Sequence, residues 1–176
     1  MADSVSMIGS TKAQYATSST LVLKTNLGGK NYNTVEDAAN EWNRALGREA
    51  VRIEKGNVST NPKTGDGLNS ITTGNIQGNA LGVTYSHIET TKGSQSGTKT
   101  KKEEDIVIEP SDNEKVFKAV ALHEIGHALG AEHVRDEDAV MNATLETGDT
   151  SKIPTKLTQA DINSVKNTGV YVNTLA

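Results

Sequence analysis

The sequence predicts an α+β domain in which several strands and three helices form one unit. Short runs rich in Val, Ile and Thr alternate with long segments whose apolar residues recur at helical spacing. Neither an internal repeat nor a linker divides the 176 residues, a length that suits one domain with a substantial core. We therefore expect a single domain over residues 19–176, preceded by a mobile tail or leader at residues 1–18.

The first part of this domain is predicted to contain a strand, a helix and a second strand. Residues 20–25 are strand-like, and a turn rich in Gly and Asn follows at 26–31. Thr34 is predicted to cap a helix that carries the only tryptophan, Trp42, on its apolar face. Residues 51–54 form a short alternating strand. This order predicts a helix packed on a sheet.

The middle of the chain is less regular. Residues 56–79 are rich in Gly, Asn and Thr, with weak strand character at 68–73. Strands are predicted at 81–88 and 105–110, and the polar, Lys-rich residues 91–102 between them are interpreted as a solvated hairpin loop. Solvation is a sufficient explanation for this charge run, so it is assigned no function.

The last part is predicted to contain two helices separated by a loop. A central helix should begin at a cap at residue 111 or 112 and run to about residue 129. An irregular loop is expected at 144–156. A final helix should start near residue 158, where a threonine and an aspartate three residues apart imitate a capping box, and stop near residue 169.

The central helix carries a histidine pattern that predicts a metal site. His123 and His127 are four residues apart, which places both imidazoles on one helix face within reach of one ion. Gly130 suits the position just past the helix end, where a positive φ is needed, and the turn can return His133 to the same ion. Zinc with three protein nitrogens keeps its fourth position for water, which is the catalytic arrangement.

Glu124 is predicted to act as the general base. It follows the first ligand, where it can reach a water on the metal but is not placed to be a third ligand. In the predicted mechanism, Zn²⁺ lowers the pKa of water toward about 7 and polarises the scissile carbonyl. Glu124 takes the proton of the attacking water and delivers it to the leaving amine. The alternative, an amphipathic helix with satisfied polar histidines, is much less favoured.

The full spacing, His-Glu-x-x-His-x-x-Gly-x-x-His followed by a methionine, is the signature of metzincins. Residues 20–169 resemble a matrixin-type metzincin, a small zinc endopeptidase domain. Met141 stands eight residues after His133, and residues 139–141 resemble the Met-turn of that family. By this resemblance Met141 would be an apolar floor below the metal, and Asp161 would brace the backbone of the turn.

The resemblance also implies a fold and a mode of substrate binding. The fold is a twisted mixed β-sheet with packed helices, its upper part reaching to about residue 130, and a small C-terminal subdomain from about 131 to 176 with the Met-turn and final helix. An extended peptide would add as an antiparallel strand to the upper rim of the cleft. The residues expected to bind it are Ala80, Leu81, Gly82, Val83 and Thr84.

The sequence departs from the matrixin pattern in three places. Val134 replaces the usual serine after the third histidine, and residues 142–144 replace a Pro-x-Tyr, which leaves the wall of the specificity pocket undefined. The structural zinc of vertebrate matrixins needs three histidines, and only His87 remains, so that site is not expected. Residues 56–79 would then be held by hydrogen bonds, or by Ca²⁺ through oxygens such as Asp66.

Three alternatives remain open. A later carboxylate, Glu146 or Asp149, could replace His133 as the third ligand, although the Gly- and Thr-rich residues around them form a poor helix. The chain could be a non-catalytic zinc-binding or structural module that reuses the fold, although an intact Glu124 argues against this. Asp3 in the leader could reach the zinc and keep the enzyme latent.

Composition limits the partners and the compartment. The net charge of −4, with both signs interspersed, gives no indication of a nucleic-acid partner, and no apolar run is long enough to span a membrane. The absence of cysteine excludes disulfides, thiol ligands and a cysteine-based latency switch. Residues 1–10 lack the features of a signal peptide, yet the family resemblance implies secreted or extracellular action. We expect a monomer whose partner is an extended peptide or protein substrate.

Overall fold

The computed structural model describes residues 2–3, 5–7, 19–93 and 97–166. The helices are α1 (Gly29–Leu46), α2 (Glu114–Ala128) and α3 (Gln159–Lys166), and a short 3₁₀ turn spans Thr150–Lys152. The strands are β1 (Ala2–Asp3), β2 (Val5–Met7), β3 (Leu21–Thr25), β4 (Val51–Lys55), β5 (Ser70–Thr73), β6 (Gly82–Gly93), β7 (Gly97–Ile108) and β8 (Thr144–Leu145).

Six of the described strands form one mixed sheet, in the order β2-β6-β7-β5-β3-β4. The pair β6–β7 is antiparallel, and every other neighbouring pair in this sheet is parallel. β1 pairs with β8 in a separate antiparallel pair. The prediction of a mixed sheet with packed helices in an α+β domain is therefore confirmed.

The core lies between the sheet and the two long helices. α2 packs against β6 and β7, and α1 packs against β4 and α2. Trp42 is fully buried, and its Nε1 donates to the carbonyl oxygen of Leu122 at 2.9 Å, which ties α1 to α2. No helix in the described ranges is long and apolar enough to cross a membrane. Aliphatic side chains fill most of the core, including Leu21, Leu23, Ile71, Ile106, Ile108 and Leu122.

Both long helices begin elsewhere than the sequence predicts. α1 starts a turn before Thr34, after the extended residue Gly28, and the Thr34 hydroxyl donates to the backbone oxygen of Lys30 inside the helix. A threonine side chain can form this bond inside a helix or can cap the helix, so the presence of a threonine does not by itself locate the first residue of the helix. α2 is capped by Asn113, whose side chain accepts from the backbone N–H groups of Lys115 and Val116.

The prediction of a hairpin loop at residues 91–102 is wrong for most of that stretch. β6 and β7 stay paired out to Gly93 opposite Gly97. Polar residues suit this extension because residues 89–93 of β6 are exposed, and Glu89 lies opposite Lys101 across the ribbon. The connection at 94–96 lies outside the described residues.

The segment 56–79 is held by hydrogen bonds, which is one of the two alternatives that the composition left open. The Asp66 carboxylate accepts from the backbone N–H of Thr60 at 2.9 Å, and this bond lowers the pKa of Asp66. The Glu103 carboxylate on β7 accepts from the backbone N–H groups of Asp66 at 2.8 Å and Gly67 at 2.6 Å. Calcium is not supported here.

The two ends of the chain differ from the expectation in different ways. Residues 1–18 were expected to be a mobile tail, but β1 and β2 pair with strands of the domain, while residues 1, 4 and 8–18 lie outside the described part. α3 is described to Lys166, so the predicted helix end near residue 169 also lies outside it. The predicted loop at 144–156 contains β8 and the 3₁₀ turn.

Candidate metal centre

Three imidazole nitrogens converge on one point beside α2. The Nε2 atoms of His123 and His127 are 2.9 Å apart, and the Nε2 of His133 lies 3.2 Å from the first and 3.1 Å from the second. In a tetrahedral zinc site with Zn–N bonds of about 2.0–2.1 Å, two nitrogens lie about 3.4 Å apart. The three side chains therefore fit a zinc ion after movements of a few tenths of an ångström.

Backbone carbonyls orient the two helical histidines toward this point. Nδ1 of His123 lies 2.7 Å from the carbonyl oxygen of Val140, and Nδ1 of His127 lies 2.9 Å from that of Ala131. A carbonyl only accepts, so each Nδ1 carries the ring proton, and each neutral ring presents its Nε2 lone pair to the common centre. Such a bond fixes the ring of a metal-binding histidine.

Burial keeps both helical histidines in the neutral, ligand-competent form. It lowers the pKa of His123 well below its usual value, and the neighbouring His127 lowers it further. Burial lowers the pKa of His127 to about 4. Two of the three converging nitrogens therefore present lone pairs to the same point, which suits a cation that all three imidazoles can bind in their neutral form.

The turn after α2 places the third histidine. Gly130 has a φ of 99°, in the range where only glycine is unstrained. Its backbone N–H donates to His127 at 2.9 Å, and that of Ala131 donates to Gly126 at 2.8 Å, which closes the helix end. The chain can then bring His133, an exposed residue, back to the two buried histidines.

Glu124 is buried beside the three histidines. Its exposed fraction is 0 %, and burial raises its pKa to about 8. Oε2 accepts a hydrogen bond from the hydroxyl of Thr84 at 2.6 Å, and this bond lowers the pKa of Glu124, against the larger effect of burial. Oε1 has no hydrogen-bond partner among the described residues. One carboxylate oxygen is thus held by Thr84, and the other is buried beside Gly82 without a hydrogen bond to any described residue.

Met141 and Asp161 lie below the histidines. The backbone N–H groups of Val140 and Met141 donate to the two carboxylate oxygens of Asp161, at 3.1 and 2.7 Å. Met141 is fully buried and packs closely on Gly126 of α2. A Cβ added to Gly126 would lie only 2.5 Å from the Sδ of Met141. Residues 139–141 are therefore held between α2 and the first turn of α3.

An apolar recess lies beside His123, with an empty volume of about 350 Å³ including the part open to solvent. Leu81, just before β6, lines one side of it, and residues 142–145 line another. The stretch that departs from the matrixin pattern is thus part of this wall. The other lining residues are Ala119, Val120, Ala139, Val140 and Pro154.

The predicted substrate-binding residues have different positions. Leu81 lines the recess, and Ala80 is nearly buried. Val83 lies opposite Val5 of β2. Gly82 and Thr84 face Glu124, which the sequence did not indicate.

Sequence reasoning missed Gly126, which makes room for Met141, and assigned Gly82 to substrate binding although this glycine makes room for Glu124. A signal existed for both. Glycine inside a helix costs about 1 kcal/mol relative to alanine, and glycine in a strand often marks a close approach. The carbonyl oxygens of Val140 and Ala131 left no signal in the sequence, because every residue offers the same backbone acceptor whatever its side chain.

The alternative third ligands do not join the cluster. Among the described residues, the metal-ligating group around His123 and His127 is completed by His133. Glu146 is exposed, and Asp149 caps the 3₁₀ turn by accepting from the backbone N–H of Ser151 at 3.0 Å.

A second group of ligating side chains, His87, Glu103 and Asp105, lies on β6 and β7. Nε2 of His87 bonds the backbone oxygen of Pro62 at 2.6 Å, and Asp105 accepts from the hydroxyl of Ser70 at 2.6 Å. Burial and the nearby Glu103 raise the pKa of Asp105 to about 7. These contacts fasten the segment 56–79 to the sheet.

Comparison with known proteins agrees with this geometry. The family model described as Matrixin (peptidase M10) matches residues 29–170, which is most of the chain. No curated protein matches the chain significantly. The chain belongs to the matrixin family, which suggests a zinc metallopeptidase, and its His123, His127 and His133 form a cluster that could hold a metal ion.

Proposed function

We propose that this protein is a zinc-dependent endopeptidase that hydrolyses peptide bonds of protein substrates. The observation that carries the proposal is the convergence of three histidine Nε2 atoms within 3.2 Å of one another beside the buried carboxylate of Glu124. His123, His127 and His133 would hold the ion. When bound, Zn²⁺ supplies a Lewis acid that polarises the scissile carbonyl and acidifies water.

Glu124 performs the proton transfers in the proposed reaction. Its free oxygen, Oε1, accepts a proton from water as the water oxygen bonds to the carbonyl carbon. The same oxygen then delivers that proton to the amine nitrogen as the C–N bond breaks. Burial raises the pKa of Glu124 to about 8 without zinc, and a bound Zn²⁺ would lower this pKa, because a nearby cation favours the ionised form that can take a proton.

The substrate would bind as an extended strand along β6. The peptide would take the edge of β6 at which Val83 pairs with Val5 of β2, and the recess beside His123 suits an apolar substrate side chain next to the scissile bond. Met141 serves as the apolar floor of a Met-turn, with Asp161 as its brace. We also propose that the protein acts outside the cell as a monomer.

The second candidate is a non-catalytic module that only binds zinc. The state of Glu124 argues against it. A buried carboxylate with one oxygen lacking a hydrogen-bond partner among the described residues is costly to retain, and zinc binding by three histidines does not need it.

The experiment that tests the function combines metal analysis with substrate profiling. The purified protein should contain one zinc per chain by mass spectrometry. It should cleave members of a random peptide library, lose this activity on dialysis against a chelator and regain it with added zinc. Bound zinc without cleavage would favour the binding module or a latent enzyme, and failure to bind zinc would contradict the proposal.

Removal of residues 1–18 is expected to raise peptidase activity by about tenfold or more. In the full chain, only those molecules in which these residues have left the edge of β6 would bind substrate. β2 lies parallel to β6 along Val83–Tyr85, the edge that a substrate would need, and β1 pairs with Thr144–Leu145 in the wall of the recess. We propose that the leader keeps the enzyme latent by covering this edge. A contact of the Asp3 side chain with zinc lies outside what the structure describes.

Peptidase assays can test the latency proposal both by removing the leader and by adding it back as a separate peptide. A synthetic peptide of residues 1–18 should inhibit the truncated protein competitively, and a scrambled peptide should not. Equal activities of the full and truncated chains would remove the latency proposal without affecting the proposed chemistry.

A further inference from the structure

Two residues of β6 face the catalytic glutamate instead of the substrate. Gly82 and Thr84 are two apart, so they lie on the same face of the strand, and this face packs against α2. Thr84 has an exposed fraction of 0 %, so its side chain is not available to a peptide on the outer edge.

Thr84 holds one oxygen of the carboxylate. Its hydroxyl lies 2.6 Å from Oε2 of Glu124 and 3.0 Å from the backbone oxygen of the same residue. A hydroxyl has one proton, and Oε2 is both the nearer acceptor and the stronger one when Glu124 is ionised. Because threonine is β-branched and this one is buried, its hydroxyl has little freedom to turn away.

Gly82 leaves the space that the carboxylate occupies. A Cβ at this position would lie 2.7 Å from both Cγ and Oε1 of Glu124, and 2.6 Å from a methyl group of Val120. Those distances are shorter than any van der Waals contact. Glu124 could not keep its position beside any larger residue.

We propose that Gly82 and Thr84 form a slot that fixes the orientation of the Glu124 carboxylate, with Thr84 as the positioning residue for proton transfer. The inference rests on the proposed peptidase function. Glutamate has three side-chain torsions, and burial alone does not select one rotation of its carboxylate. Oε2 is bonded to Thr84, and Oε1 lies beside Gly82 without a hydrogen bond to any described residue. In this proposal Oε1 is the oxygen that takes and returns the proton once the ion and water are bound.

The test compares Thr84→Val, which removes the hydroxyl and keeps the shape, with Thr84→Ser, which keeps the hydroxyl. For a peptide that the wild type cleaves, Thr84→Val should lower kcat by about tenfold to a hundredfold, with KM within about twofold. Thr84→Ser should stay within about threefold of wild type. Zinc content should be unchanged in both, because no ligand is altered.

Ser86→Ala is the matched control. Ser86 lies on the same strand, two residues further along the same face, and its hydroxyl donates to the Glu104 carboxylate at the same 2.6 Å. This variant loses an equivalent hydrogen bond that has no part in the reaction. Its kcat should equal that of the wild type, even if its thermal midpoint falls.

A second measurement does not depend on cleavage. Crystal structures of the zinc-loaded variants should place the Glu124 carboxylate identically in wild type and Thr84→Ser, and rotated or in two orientations in Thr84→Val. An unchanged carboxylate in Thr84→Val, or an unchanged kcat, would overturn the inference. If neither the full chain nor the chain without residues 1–18 cleaves any peptide, the proposed function fails, and the crystal structures still decide whether Thr84 positions Glu124.

Discussion

Replacement of Glu124 by glutamine is expected to lower kcat for peptide hydrolysis by about a thousandfold and to leave zinc bound. Glutamine fills the same space and can still accept a hydrogen bond from Thr84, but it cannot take a proton from water. The measurements are kcat on a library-derived peptide and zinc content by mass spectrometry. An active variant would contradict the general-base role.

The fold of this variant can be checked by its pH-dependent stability without zinc. Burial raises the pKa of Glu124 to about 8, from an ordinary value of 4.5. Between these values the unfolded chain has released the Glu124 proton that the folded chain retains, so the contribution of Glu124 to the stability of the wild type falls as the pH rises. Glutamine has no such proton. The variant should therefore gain stability relative to the wild type from pH 5 to pH 8, as measured by urea unfolding.

The elements that could be predicted from sequence are those whose signal is local. Apolar residues at helical spacing located α1 and α2, including Trp42 on the buried face. The metal site was predictable for the same reason, since His123, His127 and His133 lie within eleven residues and a helix followed by a glycine turn brings them together.

The parts that could not be predicted depend on contacts between distant residues. Thr84 and Glu124 are 40 residues apart, and the pattern of β6 does not reveal which face meets α2. The β6–β7 ribbon was interpreted as a loop because its residues are polar, but pairing between two exposed strands requires no apolar face. The leader was expected to be mobile because it is polar, and β2 instead pairs with the edge of β6.

Replacement of His133 by alanine is expected to weaken zinc binding by more than about a hundredfold and to abolish peptidase activity. The loss of one of three nitrogen ligands leaves a two-histidine site. Removal of a residue that only hydrogen-bonds to a ligand already weakens metal binding by about 10–100-fold, so the loss of a ligand itself should have a larger effect. The affinity can be measured by competition with a chromophoric chelator. Glu146→Ala is the matched control, because Glu146 is the rival ligand and is also exposed.

His133 is the most informative ligand to replace because it is exposed, whereas His123 and His127 are buried. A buried histidine replaced by alanine leaves a cavity in α2 and its surroundings, so that lost zinc could reflect a disturbed fold. His133→Ala should instead keep the unfolding free energy of the zinc-free protein within about 1 kcal/mol of wild type. A weakened site in His133→Ala with a normal site in Glu146→Ala assigns the third ligand to the histidine turn, and the reverse result would assign it to the later loop.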